Sequence, residues 1–353
     1  MRSIFIGSTG GEPGQSLVTW ALGLKLREQG IKVGFFKPYG MLADLGGAAE
    51  GTLCDPDVLL MKEVLTLAEP AEILCPVMLT EALLSEVQGA HADRLIEKVR
   101  NAFQEVSSGK EVVLIMGAKE IFFDGGPSGL PDSALVKLFD ASVALVDRYQ
   151  RDNLTLYSLL SLNSFLDGRV KSAIINHVPP DKMEHVKTRV IPFLKGKGVK
   201  SAVAVPEDSI LSALTVLTIG GLIDGQVLCC PEFGGNLIET FTIGSKHLEG
   251  PLEIFKQVYN KIILVGLPRT GQERKAVSGI ILTGGKTPSE TILRAAREQG
   301  IPLILSRVDT FQAMDILEKA KPTLGPKDEF KVRHFLDLIE QEIGTDQWVE
   351  ALL

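Results

Sequence analysis

No apolar run of about 18 or more residues free of charge occurs in this chain, so no helical membrane span is expected. Basic residues are the minority, 37 Lys and Arg against 44 Asp and Glu, giving a net charge of −7. With no basic stripe in that acidic background, a nucleic-acid partner is excluded. Lys195, Lys197 and Lys200 read as a solvated helix end. Cysteine is scarce, and Cys54, Cys75, Cys229 and Cys230 have no C-x-x-C spacing. They therefore read as reduced, mostly buried thiols of a cytoplasmic protein rather than zinc or disulfide ligands. No G-x-S-x-G elbow appears, and His177 has no nucleophile motif beside it. Met1-Arg2 leads straight into a short strand, so no leader peptide is expected. No internal repeat or low-complexity tract is present. Trp20, one of only two tryptophans, reads as core.

What is present is ample apolar material, 45% of 353 residues, enough for two domains. Short apolar runs alternate with helical patterns, the grammar of an α/β fold with a mostly parallel sheet and flanking helices. Strands are expected at Ile4–Gly7, Lys32–Lys37, Glu111–Ile115, Ser142–Val146, Lys171–Asn176 and Ser201–Val205. A helix over Leu17–Gln29 is stopped by Gly30. A boundary falls near residues 208–212. After a glycine-rich stretch from Ile219 to Gly250, strands return at Gly279–Thr283 and Pro302–Ser306. Thr287 is expected to cap a helix running to Gln299, with Pro288 in its first turn and Glu290 completing a capping box. Asp309-Thr310 opens a helix over Phe311–Ala320. Helical periodicity from Asp328 to Ile343 marks a terminal helix. The expected organisation is a domain over 1–208, a smaller α/β domain over 209–322 and a helical tail over 323–353.

The most specific local pattern is a phosphate loop without its lysine. Between the first strand and helix runs Gly7-Ser8-Thr9-Gly10-Gly11-Glu12-Pro13-Gly14-Gln15-Ser16. A nucleotide-binding loop reads G-x-x-x-x-G-K-[ST]. Gln15 stands in place of the lysine and Thr9 in place of the first glycine. Glycines let backbone N–H groups approach an anion, and a helix N-terminus adds about half a positive charge. The same residues also suit a glycine-rich turn with no ligand. Lys37, in Phe36-Lys37-Pro38, closes the second strand, where ligands gather in an open parallel sheet, or is a surface lysine before a turn. A second candidate site joins Thr283, Gly284, Gly285 and Lys286 to Asp309 and Thr310. Helix capping alone also accounts for Asp309.

The run Gly7–Ser16, the Phe-Lys37-Pro38 segment and Ile175-Asn176-His177-Val178-Pro179 resemble the dethiobiotin synthetase family. More closely, residues 1–208 resemble the dethiobiotin-synthetase-like N-terminal domain of long phosphate acetyltransferases. Residues from about 210 to 322 resemble the DRTGG domain, on Ile281-Leu282-Thr283-Gly284-Gly285, Gly300-Ile-Pro302 and Asp309-Thr310-Phe311. Its namesake motif is altered here to Gly266-Leu267-Pro268-Arg269-Thr270-Gly271. The resemblance implies a P-loop NTPase-like fold with Gly10, Gly11, Gly14, Gln15 and Ser16 in the phosphate loop. It implies Ser16 as a magnesium ligand, Lys37 as a phosphate or carboxylate ligand, and Asn176 at the nucleotide base. ATP with Mg²⁺ would be the cofactor.

Two departures bear on chemistry. Gln15 removes the loop lysine, and Met116 stands where an active synthetase has a magnesium-binding glutamate. Asp44, Asp55, Glu120 and Asp124 are possible replacements that spacing does not place. Phosphoryl transfer depends on electrostatic stabilisation by such groups. The expectation is therefore a non-catalytic regulatory or sensor protein binding a nucleotide or phosphorylated metabolite. It would act as a homo-oligomer or on a separate catalytic subunit. The acetyltransferases it resembles carry a catalytic domain beyond the matched region, so this polypeptide alone is not expected to be one. The alternative is an ATP-dependent ligase of the dethiobiotin synthetase type, acting on a carboxylate or carbamate.

Overall fold

The computed structural model describes residues 1–10, 14–41, 54–79, 90–118, 121, 131–244, 248–258, 260–267 and 277–353. The chain forms two compact units, Met1–Glu207 together with Leu324–Leu353, and Asp208–Thr323. The terminal segment expected as a separate tail is therefore part of the first unit.

In the first unit six strands form one sheet: β1 (Arg2–Ser8), β2 (Val33–Phe36), β5 (Val112–Met116), β6 (Ser142–Arg148), β7 (Val170–Val178) and β8 (Ser201–Pro206). Their order is β2-β5-β1-β6-β7-β8, every neighbouring pair parallel. All six arise from the apolar runs read in the sequence. Ile4, Phe5, Ile6, Val113, Leu114 and Ile115 are wholly buried, as strands covered on both faces require. Two short strands, β3 (Tyr39–Met41) and β4 (Val77–Leu79), pair in parallel beside this sheet.

Helices cover the sheet. α1 (Gln15–Glu28) follows β1 and buries Trp20; Gly30 follows it in the left-handed region. α2 (Pro56–Val64), α3 (Ala71–Leu74) and α4 (Ala90–Ser107) separate β3 from β5. α5 (Asp132–Leu138) and α6 (Asp152–Phe165) flank β6, and α7 (Ile191–Gly196) precedes β8. Lys195 and Lys197 at the end of α7 are exposed, as expected for a solvated helix end. Phe36, Phe103 and Phe139 stack into an aromatic cluster with ring centroids 4.1–5.9 Å apart.

The second unit carries α8 (Ser209–Ser212), β9 (Leu214–Thr215), α9 (Val216–Leu222), β10 (Gln226–Cys229), β11 (Leu237–Ile243), β12 (Lys261–Gly266), β13 (Val277–Leu282), α10 (Glu290–Glu298), β14 (Leu303–Leu305) and α11 (Thr310–Glu318). Its sheet runs β10-β14-β13-β12-β11-β9, with only β13 and β14 parallel. Period-2 alternation splits the strand residues between two cores. Ile263, Val265, Ile280, Leu282 and Leu303 join one; Ile262, Leu264, Ile281 and Ile304 join the other. α10 starts later than expected. Ser289 is its N-cap, so neither Thr287 nor a capping box opens it. The N–H groups of Gly284 and Gly285 bond Val308 and Ser306 carbonyls, and that tight turn precedes the helix. α11 opens as expected, with Asp309 accepting from Gln312 N at 2.9 Å.

Two helices close the chain, α12 (Glu329–Ile343) and α13 (Thr345–Leu352). The second, after Gly344, was not legible in the periodicity. It seats Trp348, fully buried, whose indole Nε1 donates to Ser172 Oγ on β7 at 3.0 Å. Phe335 meets the same indole edge-on at 6.1 Å. Lys25 of α1 pairs with Asp346 at 3.1 Å. Among the described residues, no helix is long and apolar enough to cross a membrane. Trp348→Ala should cost about 3–5 kcal/mol, the usual loss for deleting a buried indole. Urea unfolding followed by circular dichroism checks this, and a loss under about 1 kcal/mol would make α13 peripheral.

Candidate functional site

β1, β5 and β6 end side by side, and α1 opens above them. Gly14 is the N-cap of α1, at φ 101°, and supplies no side-chain cap. A residue with a Cβ would be strained at that φ. Its Cβ would also come within 2.9 Å of Asn176 Nδ2. Gly14 and Asn176, expected at one site from distant parts of the sequence, are thus brought into contact. A helix of this length leaves its first N–H groups without partners in the helix itself. Gly10 N donates to Ser8 Oγ at 3.2 Å. Gly11, with Glu12 and Pro13, lies outside the described residues.

Gln15 was expected at the phosphate, yet its side chain turns inward. Its buried amide Nε2 donates to Ile6 O at 2.8 Å and Gly117 O at 3.1 Å. Ile6 lies within β1 and Gly117 just past β5, so one side chain ties the start of α1 to both strands. A side chain so engaged does not neutralise a phosphate. Met116 is buried beside Ile6 across the β1–β5 pair. Next to it, wholly buried Asp132 accepts from Ala118 N at 3.0 Å and Tyr39 Oη at 2.8 Å.

Lys37 sits just beyond β2, held there by its own N–H bonding Leu74 O at 2.8 Å. Its Nζ donates to Asp55 Oδ1 and Asp57 Oδ2, each at 2.8 Å. Ser16 Oγ donates to the other Asp57 oxygen at 2.7 Å. The sequence Asp55-Pro56-Asp57 explains the carboxylates: Asp55 caps α2 through Asp57 N at 2.9 Å, with Pro56 in the first turn. Burial works against the Lys37 charge, but Asp57 and Asp55 outweigh it, so its pKa is raised and the ammonium persists. Among the described residues no three His, Cys, Asp or Glu side chains gather as a metal site, and the carboxylates beside Ser16 already hold an ammonium. Asp44, Glu120 and Asp124 lie outside the described residues.

Asp147, near the carboxyl end of β6, was missed in the sequence. It accepts from Thr9 Oγ1, while its Oδ2 is buried without a hydrogen bond. Burial pushes its pKa up to about 6; Thr9 and Thr155 oppose that shift, although the Thr155 hydroxyl falls short of hydrogen-bond geometry. The signal available was a lone acid in the apolar run Ser142–Asp147. On the adjacent β7 the pairing with β8 shifts register between Ile175 and Val178. There Asn176 Oδ1 accepts from His177 N at 2.9 Å, and His177 takes a positive φ of 55°. Such irregularities re-aim side chains beside sites. Burial, with Arg148 nearby, lowers the His177 pKa and keeps its ring neutral.

The second candidate site is assembled but already satisfied. Thr283 Oγ1 and Thr310 Oγ1 bond each other at 2.6 Å. The Gly284 and Gly285 N–H groups expected for a ligand bond Val308 O at 2.8 Å and Ser306 O at 2.9 Å. Lys286 is exposed, and Asp309 serves as the α11 cap. A cavity of about 390 Å³ opens instead beside Lys32, Val33 and Lys110, at the amino ends of β2 and β5. Another, about 220 Å³, lies between Ser201 and α12–α13. Both are away from the loop.

Strand order and loop position define the first unit as a parallel α/β domain with a glycine-rich turn between β1 and α1. Among solved structures the chain is similar to MinD of the MinC:MinD cell division complex of Aquifex aeolicus, at 14% identity over 60% of this chain and 83% of that one, TM-score 0.36. It is likewise similar to the septum site-determining protein MinD of Pyrococcus horikoshii, complexed with Mg-ADP, at 16% identity over 60% and 83%, TM-score 0.34. Residues 218–320, inside the second unit, match the DRTGG domain. Along nearly its whole length the chain is similar to phosphate acetyltransferases. The one from a Synechocystis species is 19% identical, over 99% of this chain and 52% of that protein. The one from Pseudomonas putida is 22% identical, over 98% and 51%. The chain spans about half the length of the relatives it matches.

Two expectations follow. Gln15→Ala removes the amide donor to Gly117 O and Ile6 O; Ile6 O keeps its bond from Gly117 N at 3.0 Å, so the loss falls on Gly117 O and should cost about 1–3 kcal/mol. Denaturant unfolding measures it, and a neutral result would show that water replaces the amide. Asp147 has a folded pKa raised from 3.8 to about 6. The folded state therefore holds the extra proton between those values, and stability falls as pH rises through that window, then levels off. Asp147→Asn should raise stability at pH 7.5 by up to about 3 kcal/mol, the gain shrinking toward pH 4. A gain independent of pH would contradict this.

Proposed function

We propose that this chain is a non-catalytic sensor that binds a phosphorylated metabolite or a nucleotide at the N-terminus of α1. It would be related to the regulatory half of phosphate acetyltransferases. The observation that carries this reading is the divided fate of the loop. Its backbone keeps the left-handed turn at Gly14 and an uncapped helix mouth, the features that hold anions through N–H groups and the helix dipole. Its reactive side chains are engaged inside the protein, Gln15 on two carbonyls and Lys37 on two aspartates.

A ligase needs a mobile cation on the transferring phosphoryl group and a metal beside it. With Lys37 tied to Asp55 and Asp57, and with Met116 in the strand, neither is supplied among the described residues, which supports binding without turnover. The bound state would be passed to a separate catalytic subunit or to further copies of this chain, with the DRTGG unit as the second half of the regulatory device.

Calorimetric titration of the full chain with ATP, acetyl phosphate and acetyl-CoA, each with and without magnesium, tests this. Saturable binding to at least one of them, with no phosphate release, is the expected result. Steady hydrolysis, or no binding to any of the three, would overturn it.

A further inference from the structure

Beside α1 a hydroxyl, two carboxylates and an ammonium form one connected chain: Ser16 Oγ to Asp57 Oδ1 at 2.7 Å, Asp57 Oδ2 to Lys37 Nζ at 2.8 Å, and the same Nζ to Asp55 Oδ1 at 2.8 Å. The Lys37 and Asp55 side chains are 8% and 5% exposed, so this pairing is shielded from bulk water. Ser16 is the residue that carries the divalent ion in an intact phosphate loop. The carboxylates that such an ion would need lie one bond away and are bridged by an ammonium.

From this geometry we infer that Lys37 is a resident cation occupying the place of the divalent ion, so that the site excludes metal and takes its ligand metal-free. Coulomb repulsion disfavours a divalent ion where a lysine ammonium already holds the same two carboxylates at contact distance. The exchange has a consequence for the ligand. In place of a divalent ion the loop has beside it a singly charged ammonium engaged by Asp55 and Asp57. A ligand with few charges, such as a single phosphate group, is tolerated there better than an uncomplexed triphosphate. This last step rests on the anion-binding reading above; the exclusion of metal does not.

Mn²⁺ is the probe, followed by electron paramagnetic resonance of the free ion in the presence of the full chain. The wild-type chain is expected to leave Mn²⁺ free at millimolar concentrations. Lys37→Met, which removes the ammonium and keeps most of the chain length, is expected to bind one Mn²⁺ at least tenfold more tightly, and adding Asp57→Asn to it is expected to abolish that site. Lys37→Met that folds only when Mn²⁺ is supplied supports the inference equally. A folded Lys37→Met without the gain overturns it. If Lys37→Met fails to fold in any condition, the wild-type chain decides. Mn²⁺ bound to it and lost on Asp57→Asn overturns the inference, and an absence of binding upholds it. In parallel, melting with inorganic phosphate in EDTA and in magnesium is compared. Stabilisation equal in both is expected, and a magnesium requirement overturns the inference. No stabilisation by phosphate in either condition counts against the anion-binding reading alone, because the Mn²⁺ result stands without it.

Discussion

Parallel strands that stop together leave carbonyls pointing at the mouth of the sheet, and those of Ile6 and Gly117 are held by the amide of Gln15. Buried carbonyls without donors are costly, so this side chain ties β1 and the end of β5 to the start of α1. A lysine here would face the same two carbonyls and the loop at once. Glutamine resolves that competition in favour of the scaffold. The contact of Gly14 with Asn176 and the position of Ser16 both follow from where that helix starts.

Charge is handled in the same inward-looking way. Lys37 reaches Asp55 and Asp57 rather than the loop, and Asp132 bonds Ala118 and Tyr39. Buried ion pairs of this kind gain little net stability, since desolvation offsets attraction. Their consequence is to fix geometry and to remove charged groups from chemistry. Asp147 is the exception. A carboxyl held near pH 6 with one oxygen unsatisfied weakens the fold at neutral pH, and perturbed groups of that sort gather at functional sites.

The parallel sheet was legible because each buried strand is an unbroken apolar run, and its six runs need no long-range information to be recognised. Gly14, Ser16 and Asn176 are singled out through motif resemblance, and the structure brings Gly14 and Asn176 together. The role of Gln15 was not legible, since the substitution is visible in sequence but the two carbonyls it meets, nine and 102 residues away, are not. The Asp55 cap is a local signal, whereas its pairing with Lys37 depends on how β3 and α2 return to β2. The shift of the α10 start from Thr287 to Ser289 has the same origin. Capping residues at 287 and 289 are locally equivalent, and tertiary hydrogen bonds of Gly284 and Gly285 precede the choice.

The central claim is that backbone amides at the mouth of α1 hold an anion while the side chains around them stay committed to the protein. Amide resonances of Gly14, Gln15 and Ser16 followed by ¹H–¹⁵N spectroscopy during titration with acetyl phosphate address it most directly. The account predicts saturable shifts of these backbone signals with the Gln15 side-chain amide unmoved. Shifts confined to that side chain, or a flat response at all three backbone positions, would contradict it.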